Sequence, residues 1–104
     1  MQKQNLKQYQ KFKNEKFQKK HVFTSDYNKT FVLNLLPGQE IPTHTHEGYE
    51  LQITVLRGKG KVRVNHEEEL FSEGDILKCD AKDKFSLINC SQEKLTCLAI
   101  LFKV

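Results

Sequence analysis

From residue 22 onward, apolar and polar positions alternate in short runs that turn-forming residues interrupt at close intervals. Residues 22–24, 30–36, 41–46, 50–57, 61–64, 69–72, 76–79, 85–90 and 95–103 each read as a strand, rich in Val, Ile, Leu, Phe and Thr. Pro37-Gly38, Gly58-Lys59-Gly60, Asn65-His66, Gly74-Asp75 and Asn89-Cys90-Ser91 are the turns between them. No stretch holds the period of an amphipathic helix, although Leu6, Tyr9 and Phe12 are loosely helical in spacing. Short strands at this density predict an all-β sandwich or barrel. A chain of 104 residues builds one hydrophobic core, which excludes a nucleotide-binding domain with a separate substrate domain.

Charge divides the chain in two. Residues 1–20 hold seven Lys against the single Glu15, whereas the remainder holds ten basic and twelve acidic residues. The pattern predicts a polar, Lys-rich N-terminal arm over residues 1–16 and a barrel domain over residues 17–104 that is slightly acidic from residue 21 onward. Such an arm reads as a solvated segment; no nucleic-acid-binding motif accompanies it, so nucleic acid is not expected as a partner. The longest apolar run, residues 98–102, falls far short of the roughly 20 residues a membrane helix requires. The N-terminus carries no apolar signal region, so the expected location is the cytoplasm. Cys79, Cys90 and Cys97 are odd in number and lack CxxC spacing, which predicts reduced residues rather than disulfides or a zinc site.

The chemistry concentrates in Gly38-Gln-Glu-Ile-Pro-Thr-His44-Thr-His46-Glu-Gly-Tyr-Glu50. On a strand, residues two apart share a face, so His44 and His46 are expected to point the same way. Gly48 permits a turn that returns Glu50 toward them, completing a two-His-one-carboxylate set of the kind that binds divalent metals. Taken alone, the His-x-His reads sooner as two exposed histidines in a polar loop than as a metal site. His66 reads as a turn residue, His21 as a surface or edge-strand residue, and Glu67–Glu69 as a solvated face.

The wider spacing changes the picture. Gly38, the His44-x-His46 pair, Glu50 and a strand ending in Val55-Leu56-Arg57-Gly58 resemble the first motif of the cupin family. Gly74-Asp75 and Asn89 resemble the opening and close of the second, and the 15 residues between Gly58 and Gly74 suit a short cupin. The resemblance, over residues 17–104, implies a single jelly-roll barrel, with Val62 and Val64 among the residues filling it. It also implies a metal site on His44, His46 and Glu50, and a homodimer.

The departures are specific. Phe85 stands where the family has its second-motif His, and Asp80 and Lys82 where it has Pro and Gly. Seven residues separate Glu50 from Gly58 where the family usually has six, which predicts a β-bulge and leaves Gln52 as an alternative ligand. Phe85 cannot ligate, so at most three protein ligands remain. By alternation Phe85, Leu87 and Asn89 share a face and are expected to line the pocket, with Tyr49 at its mouth.

Two readings of function follow. In one, a divalent transition metal and a small organic ligand meet at the barrel mouth, as in the dioxygenase and isomerase chemistries the resemblance implies. Iron, manganese, nickel, zinc and copper all accept imidazole, so the residues do not select the metal. In the other, the protein is a non-catalytic cupin, with or without a metal, that binds or senses a small ligand. For the homodimer, Phe12, Phe17, Val22 and Phe23 are the candidates to cover a sheet edge across two subunits, the rival being an arm that folds back on its own barrel.

Overall fold

The computed structural model describes all 104 residues. Nine strands follow a short 3-10 turn at Leu6–Tyr9. They are β1 (Gln18–Thr24), β2 (Asn28–Leu35), β3 (Glu40–His44), β4 (Tyr49–Arg57), β5 (Lys59–Val64), β6 (Glu67–Ser72), β7 (Ile76–Cys79), β8 (Phe85–Ile88) and β9 (Leu95–Lys103). They form two antiparallel sheets, ordered β1-β2-β9-β4-β7 and β3-β8-β5-β6, which make a jelly-roll sandwich. No helix is long and apolar enough to cross a membrane.

The core is the alternation made physical. Leu51, Ile53 and Val55 of β4 lie opposite Leu101, Ala99 and Cys97 of β9, and all six are buried. Phe31, Leu33 and Leu35 of β2 extend the same layer, while Ile41, Val62, Phe71, Phe85 and Leu87 close it from the second sheet. Val64 packs half-buried against this cluster. The extra residue expected in β4 is present as a register shift between Val55 and Arg57, which makes Leu56 the bulged residue.

Of the boundaries that differ from the sequence expectation, three bear on the site. β1 starts at Gln18, inside the Lys-rich segment, because pairing with β2 makes a strand of residues without apolar alternation. β3 ends at His44 and β8 at Ile88. Asn89 falls beyond its strand and bonds to the chain on both sides, its Nδ2 donating to the carbonyls of Leu35 (3.0 Å) and Glu93 (2.7 Å).

The arm returns to its own barrel. Asn34, fully buried on the outer side of β2, donates from Nδ2 to the Tyr9 carbonyl at 2.6 Å and accepts from the Thr96 hydroxyl at 2.9 Å. Gln39 Nε2 donates to the Lys13 carbonyl at 2.7 Å. Phe12 lies under the Lys94 ammonium, and Phe17 packs against the core. Both residues thus make contacts within their own chain and are half-buried. All three cysteines are free; burial pushes the Cys79 thiol up to about 11 and the Cys97 thiol up to about 12, so both behave as small apolar residues.

Gly58 joins β4 to β5 at φ +89°, and a Cβ there would collide with the Lys94 carbonyl oxygen. Gly38 has a similar φ of +84° but open space around it. Gly58→Ala is expected to cost more than the strain of a left-handed residue alone, about 1–3 kcal/mol, and more than Gly38→Ala. Urea midpoints of the two variants check the order.

Candidate functional site

Pro42 has no N–H to give the β3–β8 ladder, and the register shifts between Ile41 and His44. Ile41 stays opposite Leu87, and His44 comes opposite Phe85. The irregularity reverses parity, so Ile41 and His44, three positions apart, both reach the interior side. His46 follows just past the strand end, where the Tyr49 N–H closes a turn on the His46 carbonyl at 2.9 Å. The two histidines thus meet through a kinked strand and a turn, not through the regular alternation expected from the sequence.

The imidazoles are in direct contact. His44 Nδ1 lies 2.7 Å from the Pro42 carbonyl and must donate to it, which leaves Nε2 free to accept. His44 Nε2 and His46 Nε2 are 3.0 Å apart, and His46 supplies the proton between them. Both rings pack against Phe85, with centroids at 5.9 and 6.2 Å. Burial, then the neighbouring His44 charge, then that of Lys19 push His46 down to about 4.

A cavity of about 280 Å³ opens beside the pair. Phe17, Phe31, Leu33, Ile41, Leu51 and Phe85 form its apolar wall, and Pro42, Thr43, Lys19, His44 and His46 complete it. Of the residues expected in the site, His44, His46 and Phe85 are brought together here.

Glu50 is not. It lies on the outer side of β4, paired with Lys78 at 3.1 Å, because the register with β9 commits Leu51 to the interior. Gln52, two residues on, is exposed on the same outer side. With six residues intervening before Gly58, the spacing the family resemblance implies, the carboxylate position falls on Leu51, an apolar side chain. Leu87 is in the core, Asn89 ties two loops, and Tyr49 packs half-buried with Lys29 5.2 Å from its ring; none of the three lines the cavity. No group of three His, Cys, Asp or Glu side chains is placed to hold a metal ion.

Sequence reasoning missed Leu51 and Lys19. The count from Gly58 was the available signal for Leu51. Lys19 carried none, since its strand is disguised as solvated arm.

Two facing sheets with an open mouth carrying a His-x-His pair define a double-sheet β-domain of the cupin type. The cupin-domain family profile matches residues 31–101, and the chain belongs to that family. A crystal structure of a protein from Thermus thermophilus is similar at 30% identity and a TM-score of 0.93, covering 99% of this chain and 98% of that one. An RmlC-like cupin protein from Desulfovibrio desulfuricans matches at 23% identity and a TM-score of 0.87, over 98% of this chain and 96% of that one. A protein from Thermotoga maritima described as a predicted oxalate decarboxylase matches at 22% identity and a TM-score of 0.81, over 85% and 81% of the two chains. Among curated proteins none is significantly similar.

The pair has a direct consequence for stability. An unfolded His46 takes up a proton near pH 6.5, whereas the folded one does so only near pH 4. Its contribution is therefore fully present above about pH 6.5 and is lost as the pH falls toward 4, because protons favour the unfolded chain in that window. The His46 ring proton resonances are expected to titrate near pH 4, and His46→Gln to flatten the stability profile between those two values. An NMR titration and urea unfolding at a series of pH values check both.

Proposed function

We propose that this cupin binds a small organic molecule at its mouth without a resident metal, as a binding or sensing protein. The position of Leu51 carries the reading. Protein metal sites of the catalytic kind take three side-chain ligands and leave one position open. With Leu51 and Phe85 facing the histidines and Glu50 held on the outer side by Lys78, the donor set stops at two imidazoles. That set does not fit the metal the family implies. The two rings already satisfy one another, and His44 is tied to the Pro42 carbonyl.

What remains is a concave, mainly apolar pocket with a few convergent polar groups, the usual form of a small-molecule site. The decarboxylase description belongs to the Thermotoga protein, and at 22% identity that likeness carries the fold alone.

Metal analysis tests the reading. After loading with iron, nickel and zinc in turn, the purified, untagged protein is expected to retain only substoichiometric metal. Stoichiometric metal that His44→Ala removes would overturn the proposal. The Leu51→Glu/Phe85→His double variant is expected to gain at least about tenfold in zinc affinity, worth about 1.4 kcal/mol, since it supplies the two missing ligands. Calorimetry on the folded variant measures it.

We propose further that the chain pairs with a second copy through an edge strand rather than through the arm. Ile76 on the edge strand β7 is 70% exposed, and Leu70 on the edge strand β6 is 76% exposed. Unpaired edges that carry apolar side chains favour association. Light scattering is expected to give twice the 12.2 kDa chain mass, reduced to the single-chain mass by Ile76→Lys or Leu70→Lys.

A further inference from the structure

We infer that the ligand of this cavity is a small monocarboxylate with an apolar body about the size of one aromatic ring, held at its head by Lys19. The inference rests on the small-molecule reading above and adds the ligand class to it.

Size and lining set the body of the ligand. A dry cavity of about 150 Å³ accommodates benzene. The 280 Å³ here has room for one ring and a short side group, against the walls of Phe17, Phe31, Leu33, Leu51 and Phe85.

Charge sets the head. Lys19 is the sole cation on the wall, and no Asp or Glu lines it. Its ammonium makes no salt bridge and rests 4.4 Å from the centre of the Phe31 ring. A solvated lysine held over an aromatic wall is a weak arrangement, and a carboxylate that also accepts hydrogen bonds would replace it with a stronger one. A ligand amine would meet Lys19 as a like charge. The histidine N–H groups are already given to one another and to the Pro42 carbonyl, so the head falls to Lys19, and His46 stays neutral at physiological pH. The wall therefore offers one fixed positive charge and suits a monoanion better than a dianion.

The backbone explains why Lys19 is there. It pairs with Leu33 across β1 and β2, and facing residues share a side of the sheet, so both reach the same cavity. His21 pairs with Phe31 one step along and stacks on that ring. Phe17 and Lys19 lie outside residues 31–101, the part matched by the family. The cation is thus added by this chain's own N-terminal strand to a mouth that the barrel leaves uncharged.

The experiment compares phenylacetate, phenylacetamide and phenethylamine, which share one ring and differ in charge. Binding to the full-length protein is followed by amide shifts of Leu33, Leu51 and Phe85. Phenylacetate is expected to bind about tenfold or more tightly than phenylacetamide, with phenethylamine weakest. Lys19→Met keeps the alkyl stem over Phe31 and removes the charge; it is expected to abolish the preference while phenylacetamide still binds, and Lys19→Arg to retain it. Equal binding of acid and amide, or a preference that survives in Lys19→Met, would overturn the carboxylate assignment and leave the small-molecule reading standing. If none of the three perturbs the cavity at millimolar concentration, both fail.

Discussion

The mouth of this protein depends on how β4 pairs with β9. Three facing pairs, Leu51 with Leu101, Ile53 with Ala99 and Val55 with Cys97, are buried together in the centre of the larger sheet. Side chains on a strand alternate strictly, so a slip of one residue would turn all of β4's apolar set to solvent and bring Glu50, Gln52 and Thr54 into the core. That exchange would sacrifice three buried aliphatic side chains, each worth about 1.5–3 kcal/mol, and bury a carboxylate without its lysine. Glu50 is excluded from the histidines by the core, not by distance along the chain. The bulge at Leu56 absorbs the additional residue before Gly58 and leaves the inward set intact.

Polar residues inside the fold work as ties. Asn34 and Thr96 are fully buried, yet their side chains satisfy one another and the Tyr9 carbonyl. Asn89, which closes the second motif, holds the turn after β2 to the turn before β9 through the Leu35 and Glu93 carbonyls. No buried side-chain nitrogen or oxygen is left without a partner. A buried amide that loses its partners costs about 1–3 kcal/mol, so these residues hold the loops as firmly as an apolar contact would.

The architecture was largely legible because it is written in alternation and in turn residues. Eight of the nine strands coincide with apolar runs to within about two residues at each end, the usual uncertainty of such boundaries. The ninth, β1, begins in Gln18-Lys19-Lys20, where long-range pairing with β2 overrides local composition. At the site, the convergence of His44 and His46 was legible but its cause was not. The parity change at Pro42 and Thr43 comes from how β3 meets β8, which no local pattern records. The carboxylate was misplaced for a related reason: counted forward from the histidines the spacing selects Glu50, and counted back from Gly58 it selects Leu51. Tertiary burial decided between them.

The cavity wall is built from two kinds of chain. Leu33, Leu51 and Phe85 belong to strands paired on both sides and buried in the core, where most substitutions lower stability sharply. Phe17 precedes β1 and Lys19 lies on it, an edge strand hydrogen-bonded to β2 alone and largely exposed. Replacing the exposed Lys19 costs the fold little, whereas Phe17 packs against the core. The charge on the cavity wall is therefore set from one exposed edge-strand position, and can be changed there while the scaffold beneath stays the same.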